Sequence, residues 1–214
     1  MSAENLYVIK RTFTDLKNPG EPAIKVAIAA TYLDLKSAKE RATKVLLEEG
    51  YEKSFFTVYD EKNVHPGPGK GENDVELMKW KHGDGVIVYA EGLSHEIYKV
   101  EIDTVPNAAK LEASAANLGP VKQPLFHVLQ TNIHYLEDRS GSKRDTIVEG
   151  VHKSKELALA QASKLLIDDD VGKADFAEYD EYTDGTEGPF GADVVIHAVK
   201  ENGENILVSV ISTS

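Results

Sequence analysis

The chain has 214 residues, with 24 Lys and Arg against 36 Asp and Glu, a formal charge of −12 at pH 7. Hydrophobic residues make up 41% and charged residues 28%, a composition that excludes disorder throughout, and no apolar run approaches the roughly 20 residues of a membrane helix. The absence of cysteine excludes disulfides, thiolate metal sites and thiol nucleophiles, and with no basic-then-apolar leader the expected location is cytoplasmic.

In chain order, Leu6 to Phe13 and Ile24 to Thr31 are rich in β-branched, aromatic and small apolar residues, and Asn18 to Pro22 between them is turn material, so the start reads as an antiparallel hairpin. Asp34 is a capping residue for a helix whose apolar stripe is Ala38, Ala42, Val45 and Leu46, and Gly50 suits its C-terminal cap. A short extended piece follows around Phe55 to Glu61. Residues 62–82 form a loop insertion rich in Pro and Gly, and Gly85 to Ala90 with Ile97 to Ile102 is a second hairpin.

The same order returns. Sliding the chain against itself aligns positions 7–61 without a gap on 127–181, an offset of 120 with identities such as Val8/Val128, Ala38/Ala158, Phe56/Phe176 and Asp60/Asp180. Beyond Glu61 the offset becomes 108, pairing Gly83 with Gly191 and Val86 with Val194, so the first copy carries a 12-residue insertion. The second-copy strands are Leu125 to Ile133, Thr146 to Val151, Val194 to Val199 and Ile206 to Ile211. Its helix is capped by Ser154 and striped by Ala158, Ala162, Leu165 and Leu166.

Segregated hairpins with one helix predict an α+β protein: two tandem copies of a β-β-α-β-β domain, each an antiparallel sheet with one helix on one face. The boundaries are 1–104 for the first copy, 105–124 for a linker whose Asn107 to Asn117 stretch is alanine-rich, and 125–214 for the second. Units this small cover only part of a sheet by themselves, so the copies are expected to pack together.

Thr31 to Ala42 with Phe55 to Glu61, and Gly150 to Ala158 with Phe176 to Glu181, carry a strand, a short Ser-containing cap, an alanine-rich helix and a closing aromatic-Tyr motif. The pattern resembles a widespread group of small uncharacterised microbial α+β domains. That resemblance implies a fold and carries no activity or catalytic residue with it.

Residue patterns for chemistry are sparse. Gly67 to Gly71 contains Gly-Lys but lacks the first Gly and the Ser/Thr of a phosphate loop, leaving His65, Lys70, Trp80 and His82 as the contact residues if the insertion binds anything. Three aligned positions exchange Tyr for His: Tyr7/His127, Tyr32/His152 and Tyr89/His197. Both side chains offer an apolar body with a polar tip, and if they line a ligand site it lies at the junction of the copies. None of the histidines has the close spacing that supplies two metal ligands from one element, so no metal or cofactor is expected. The acidic run 168–187 fits no calcium loop in either register and reads as a solvated acidic face.

Function narrows to three classes. The first is a non-catalytic module that contacts a protein partner or its own copy. The second is a small-molecule binding protein or enzyme with its site between the copies, and the third is an acidic mimic of nucleic acid. Nucleic-acid binding itself is disfavoured by the charge, the basic residues Lys10, Arg11, Lys17 and Lys25 of the first hairpin notwithstanding. A membrane partner is not expected.

Overall fold

A computed structural model of the chain describes residues 3–17, 23–62, 80–112, 119–182 and 188–213. The Asn18 to Pro22 turn, His65, Lys70, residues 113–118 of the alanine-rich stretch and the Asp184 to Glu187 end of the acidic run lie outside them. Among the described residues no helix is long and apolar enough to cross a membrane.

The molecule has two similar halves, each built on a five-stranded antiparallel sheet. In the first half β1 (Asn5–Asp15) and β2 (Ala23–Tyr32) form the opening hairpin, α1 (Leu35–Ala42) and the short α2 (Val45–Glu48) follow, and β3 (Phe56–Glu61), β4 (Val86–Gly92) and β5 (Glu96–Pro106) complete the sheet in the order β2-β1-β5-β4-β3. The second half repeats this with β6 (Leu125–Ile133), β7 (Arg144–His152), α3 (Lys155–Ala162), β8 (Glu178–Glu181), β9 (Val194–Val199) and β10 (Asn205–Thr213), in the order β7-β6-β10-β9-β8. The short extended piece of each copy is therefore a fifth strand at the sheet edge, an addition to the expected order. It is only six residues in one half and four in the other, too short to show a period in sequence.

Both helices begin where their caps stand. The Asp34 carboxylate accepts from the Ser37 amide at 2.7 Å, and the Ser154 hydroxyl from that of Leu157 at 3.4 Å. Ala38, Ala42, Val45 and Leu46 join one buried cluster with Ile9, Val88 and Val100, and Ala158 and Ala162 join another with Val128, Ile196 and Val208. The first helix breaks at Thr43, where Lys44 N–H turns back to the Arg41 carbonyl at 2.9 Å, and Gly50 closes the segment at φ +93°.

Strand pairing corrects the repeat alignment. Lys10 opposes Ile28 and Leu129 opposes Val148, each beside a β-bulge, one between Ile9 and Lys10 and the other between Val128 and Leu129. Lys10 is thus equivalent to Leu129, Val8 to His127 and Tyr7 to Phe126, an offset of 119 in the first strand of each copy. From β2 to β3 the offset of 120 holds, and in the last two strands 108 holds. The gapless alignment failed here because the strands are apolar on both faces, which removes the alternation that would fix their phase. The Val8/Val128 identity is coincidental, and Tyr7 and His127 are not counterparts.

The slip decides which side chains face which layer. Tyr7 and Ile9 of β1, like Phe126 and Val128 of β6, belong to the clusters that contain the helical alanines. Leu6 and Val8, with Leu125 and Leu129, belong instead to a cluster drawn from both halves, which also holds Val105, Val148 and Val151. The sheets therefore meet through the faces turned away from the helices. Contacts run from β5 to β7 and reciprocally from β10 to β2, as in an isologous pairing.

Candidate functional site

The junction between the sheets contains the polar groups most completely withdrawn from water. His127 of β6 has no exposed surface, and its Nε2 lies 2.9 Å from the Thr31 hydroxyl of β2. The structural counterparts are Val8 and Val151, which sit in the shared apolar cluster. Each half so contributes one polar and one apolar residue, and the pseudo-symmetry sets like against like. Burial pushes the His127 imidazole down to about 4 from its ordinary 6.5.

This depression has a definite sign for stability. As pH falls from 7 the unfolded chain takes up the proton first, so stability declines between roughly 6.5 and 4 and levels off below. For this one group the loss is on the order of 3 kcal/mol. Chemical denaturation of wild type and His127→Gln at pH 7 and pH 4 is expected to show that excess loss in the wild type. Equal losses would contradict the neutral, buried imidazole.

A second polar group crosses the junction beside it. The Lys10 ammonium, 3% exposed, is 3.0 Å from the Asp103 carboxylate and donates to the Thr146 carbonyl. Asp103 in turn accepts the Val148 N–H at 2.9 Å. Both backbone groups belong to β7, an edge strand of its sheet, so the Lys10–Asp103 pair from the first half binds the edge of the second. Nothing in sequence pairs Lys10 with Asp103, 93 residues away.

Past this pair the sheets diverge and enclose a cleft of about 630 Å³. Its first wall is the outer face of β1 and β5, with Thr12, Thr14, Lys99 and Glu101. Its second is the β6–β7 hairpin from Ser142 to Ile147. The hairpin is held by Asp138, which accepts the amides of Ser140, Ser142 and Lys143, each at 3.0 Å, and the hydroxyls of both serines. Those bonds hold its carboxyl well below the usual carboxylate range.

Most charges in the cleft are already paired. Lys10 sits with Asp103 and Glu101 and Lys143 with Glu137, while Asp145 is hydrogen-bonded to the His134 imidazole. Lys99 and Arg144 differ: neither has a carboxylate partner among the described residues, and the Arg144 Nε–H donates only to the Gly141 carbonyl, at 2.8 Å. The cleft thus offers two cationic groups that no described carboxylate neutralises.

The six Tyr and His positions do not line this cleft, and His127 alone lies between the halves. Tyr32 is buried under α1. Its counterpart His152 meets the Gln161 carbonyl oxygen of α3 at 2.5 Å, an amide oriented by its own bond to the Glu149 carbonyl. Tyr7 packs on the same helix-side cluster as Tyr32. Tyr89 instead stacks on His82 at 3.9 Å with Trp80 at the edge of that imidazole, so three residues expected in two separate groups form one cluster. His82 is anchored to Asp60 at 2.7 Å, and Tyr89 donates to Glu91 at 2.6 Å; burial first, and this bond second, push the Tyr89 hydroxyl up to about 12.

The equivalent cluster in the second half contains Asp180, His197 and Phe190. His197 and Phe190 exchange the places of Tyr89 and His82, with rings 4.3 Å apart. Glu178, Asp180 and His197 are the described residues whose donor atoms come close enough for a metal ion, all within 4.8 Å of one another. Sequence reasoning found His197 and the carboxylates separately. The pairing of β8 with β9 that joins them was not visible, because β8 carries no strand signal of its own.

The chain matches no protein-family model, no curated protein and no solved structure among those it was compared with.

Proposed function

We propose that this duplicated α+β chain is a non-catalytic recognition module, and that the cleft between its sheets receives an acidic segment of a partner protein. The observation that carries the reading is the presence of Lys99 and Arg144, two cations without carboxylate partners among the described residues, in a cleft whose other lysines, Lys10 and Lys143, are each paired with a carboxylate. Charge placed in this way favours a complementary partner and disfavours others. The hydroxyls of Thr12, Thr14 and Ser142 have no hydrogen bond to a described histidine, which supports binding over nucleophilic chemistry. A cytoplasmic location and kinship with the small microbial domains are part of the same proposal, as is one helix covering the far face of each sheet.

A small-molecule ligand is the second reading, and the cleft volume favours it, since it lies in the range of ligand pockets. Affinity purification from native cells, with bound proteins and bound small molecules both read by mass spectrometry, separates the two. A protein that co-purifies stoichiometrically and falls at least about tenfold in the Lys99→Glu/Arg144→Glu variant is the expected result. A small molecule with the same dependence would replace the first reading by the second. A bound set unchanged by the double reversal contradicts both.

A further inference from the structure

We propose that Glu178, Asp180 and His197 form a binding site for a borderline divalent transition ion of the Zn2+ class. Glu178 and Asp180 stand two residues apart on the edge strand β8 and so project from one face, and His197 of β9 pairs directly with Asp180. This brings one nitrogen and two carboxylates together without any spacing motif in sequence.

The tautomer of His197 is set by Asn205. The Asn205 amide nitrogen donates to the Gly203 carbonyl at 3.1 Å, which turns its oxygen toward His197 Nε2 at 3.0 Å. Nε2 then carries a hydrogen, and Nδ1, which faces the Asp180 carboxylate, is the nitrogen available to a metal ion, the second-sphere arrangement that orients a metal-binding imidazole. The ring is 6% exposed, and its Nδ1 faces the carboxylates. The Asp180 oxygen lies 3.5 Å from Nδ1, beyond the usual range of a strong charge-assisted bond. It matches the separation of about 3.4 Å between two ligands each roughly 2.1 Å from one tetrahedral ion. Glu178 is exposed and needs only a side-chain adjustment to complete a third ligand.

The first half supplies an independent pointer. There the same carboxylate, Asp60, is balanced from within by His82 at 2.7 Å and by the Lys81 ammonium at 3.6 Å. In the second half Pro189 takes the place of Lys81, and Glu178 takes the place of Val58. The carboxylate of the cross-strand pair Val58/Glu91 has moved to the edge strand in Glu178/Val199, beside Asp180, and the cation of Lys81 has gone, which leaves two carboxylates next to a single imidazole. An imidazole nitrogen with two carboxylates suits Zn2+ and similar ions, whereas Mg2+ and Ca2+ prefer all-oxygen sites.

The test is titration of the full chain with Zn2+ alone, followed by calorimetry and by the 15N shifts of the histidine rings. The expected result is one ion per chain, with the His197 Nδ1 signal moving while Nε2 keeps its hydrogen. Affinity should fall at least tenfold in Glu178→Gln, an exposed position whose change leaves the fold intact. It should fall likewise in Pro189→Lys, which returns the cation of the first half. Absence of saturable binding, an unmoved His197, or wild-type affinity retained in both variants would overturn the proposal and leave surface carboxylates as adventitious binders. The site shares no residue with the cleft, so neither result bears on the partner reading.

Discussion

Asp103→Ala is expected to destabilise the protein by about 3–5 kcal/mol in urea denaturation, because it leaves a buried charge without its closest partner. Lys10 would keep only Glu101, at 3.7 Å, and the Thr146 carbonyl, and the Val148 N–H would lose its acceptor. The reciprocal position shows that the pair is not required for packing: Lys10 and Asp103 correspond to Leu129 and Ile211, which meet the interface as hydrocarbons. Lys10→Met/Asp103→Leu should therefore recover much of the loss, and the double-mutant cycle isolates the coupling. The exposed Lys143–Glu137 pair is the control, since removing it should cost under about 1 kcal/mol. A loss for Asp103→Ala no larger than that control would show that the pair does not bridge the halves.

Leu129→Ala should cost about 2–5 kcal/mol, the range for a buried leucine whose cavity cannot collapse. Its side chain is 2% exposed at the meeting of the sheets. The more informative result is where the loss appears. Because Leu129 shares a cluster with Leu6 and Val8 of the other half, native-state hydrogen exchange should speed up in β1 as well as in β6. Leu136→Ala, 73% exposed in the β6–β7 turn, should change stability by less than about 0.5 kcal/mol. Acceleration confined to the second half would mean that the halves fold without support from each other.

The duplication, the capped helices and the position of the insertion were legible because each leaves a local mark: Asp34 and Ser154 at the caps, alanines at helical spacing, and a change of offset after Glu61. The facing of the first strands was not. In Leu6 to Ile9 and Leu125 to Leu129 apolar side chains point both ways, so identity between Val8 and Val128 outweighed a phase that only bulges and pairing reveal. That single slip placed His127 on the wrong face in the alignment and hid its contact with Thr31. The cleft was invisible for a different reason, since it arises from how two sheets diverge after docking. Lys99 and Arg144 carry no pattern that announces such an arrangement.

The two copies join through the sheet faces turned away from their helices, and β6 is shifted by one residue against the apparent repeat. The most direct measurement is the set of nuclear Overhauser contacts of the His127 ring. Contacts are expected with the Thr31 methyl group of the other half, which the 2.9 Å hydroxyl–imidazole bond requires to be close. Contacts with the methyl groups of Ala158 and Ala162 instead would place His127 beneath its own helix and contradict both the junction and the shifted strand.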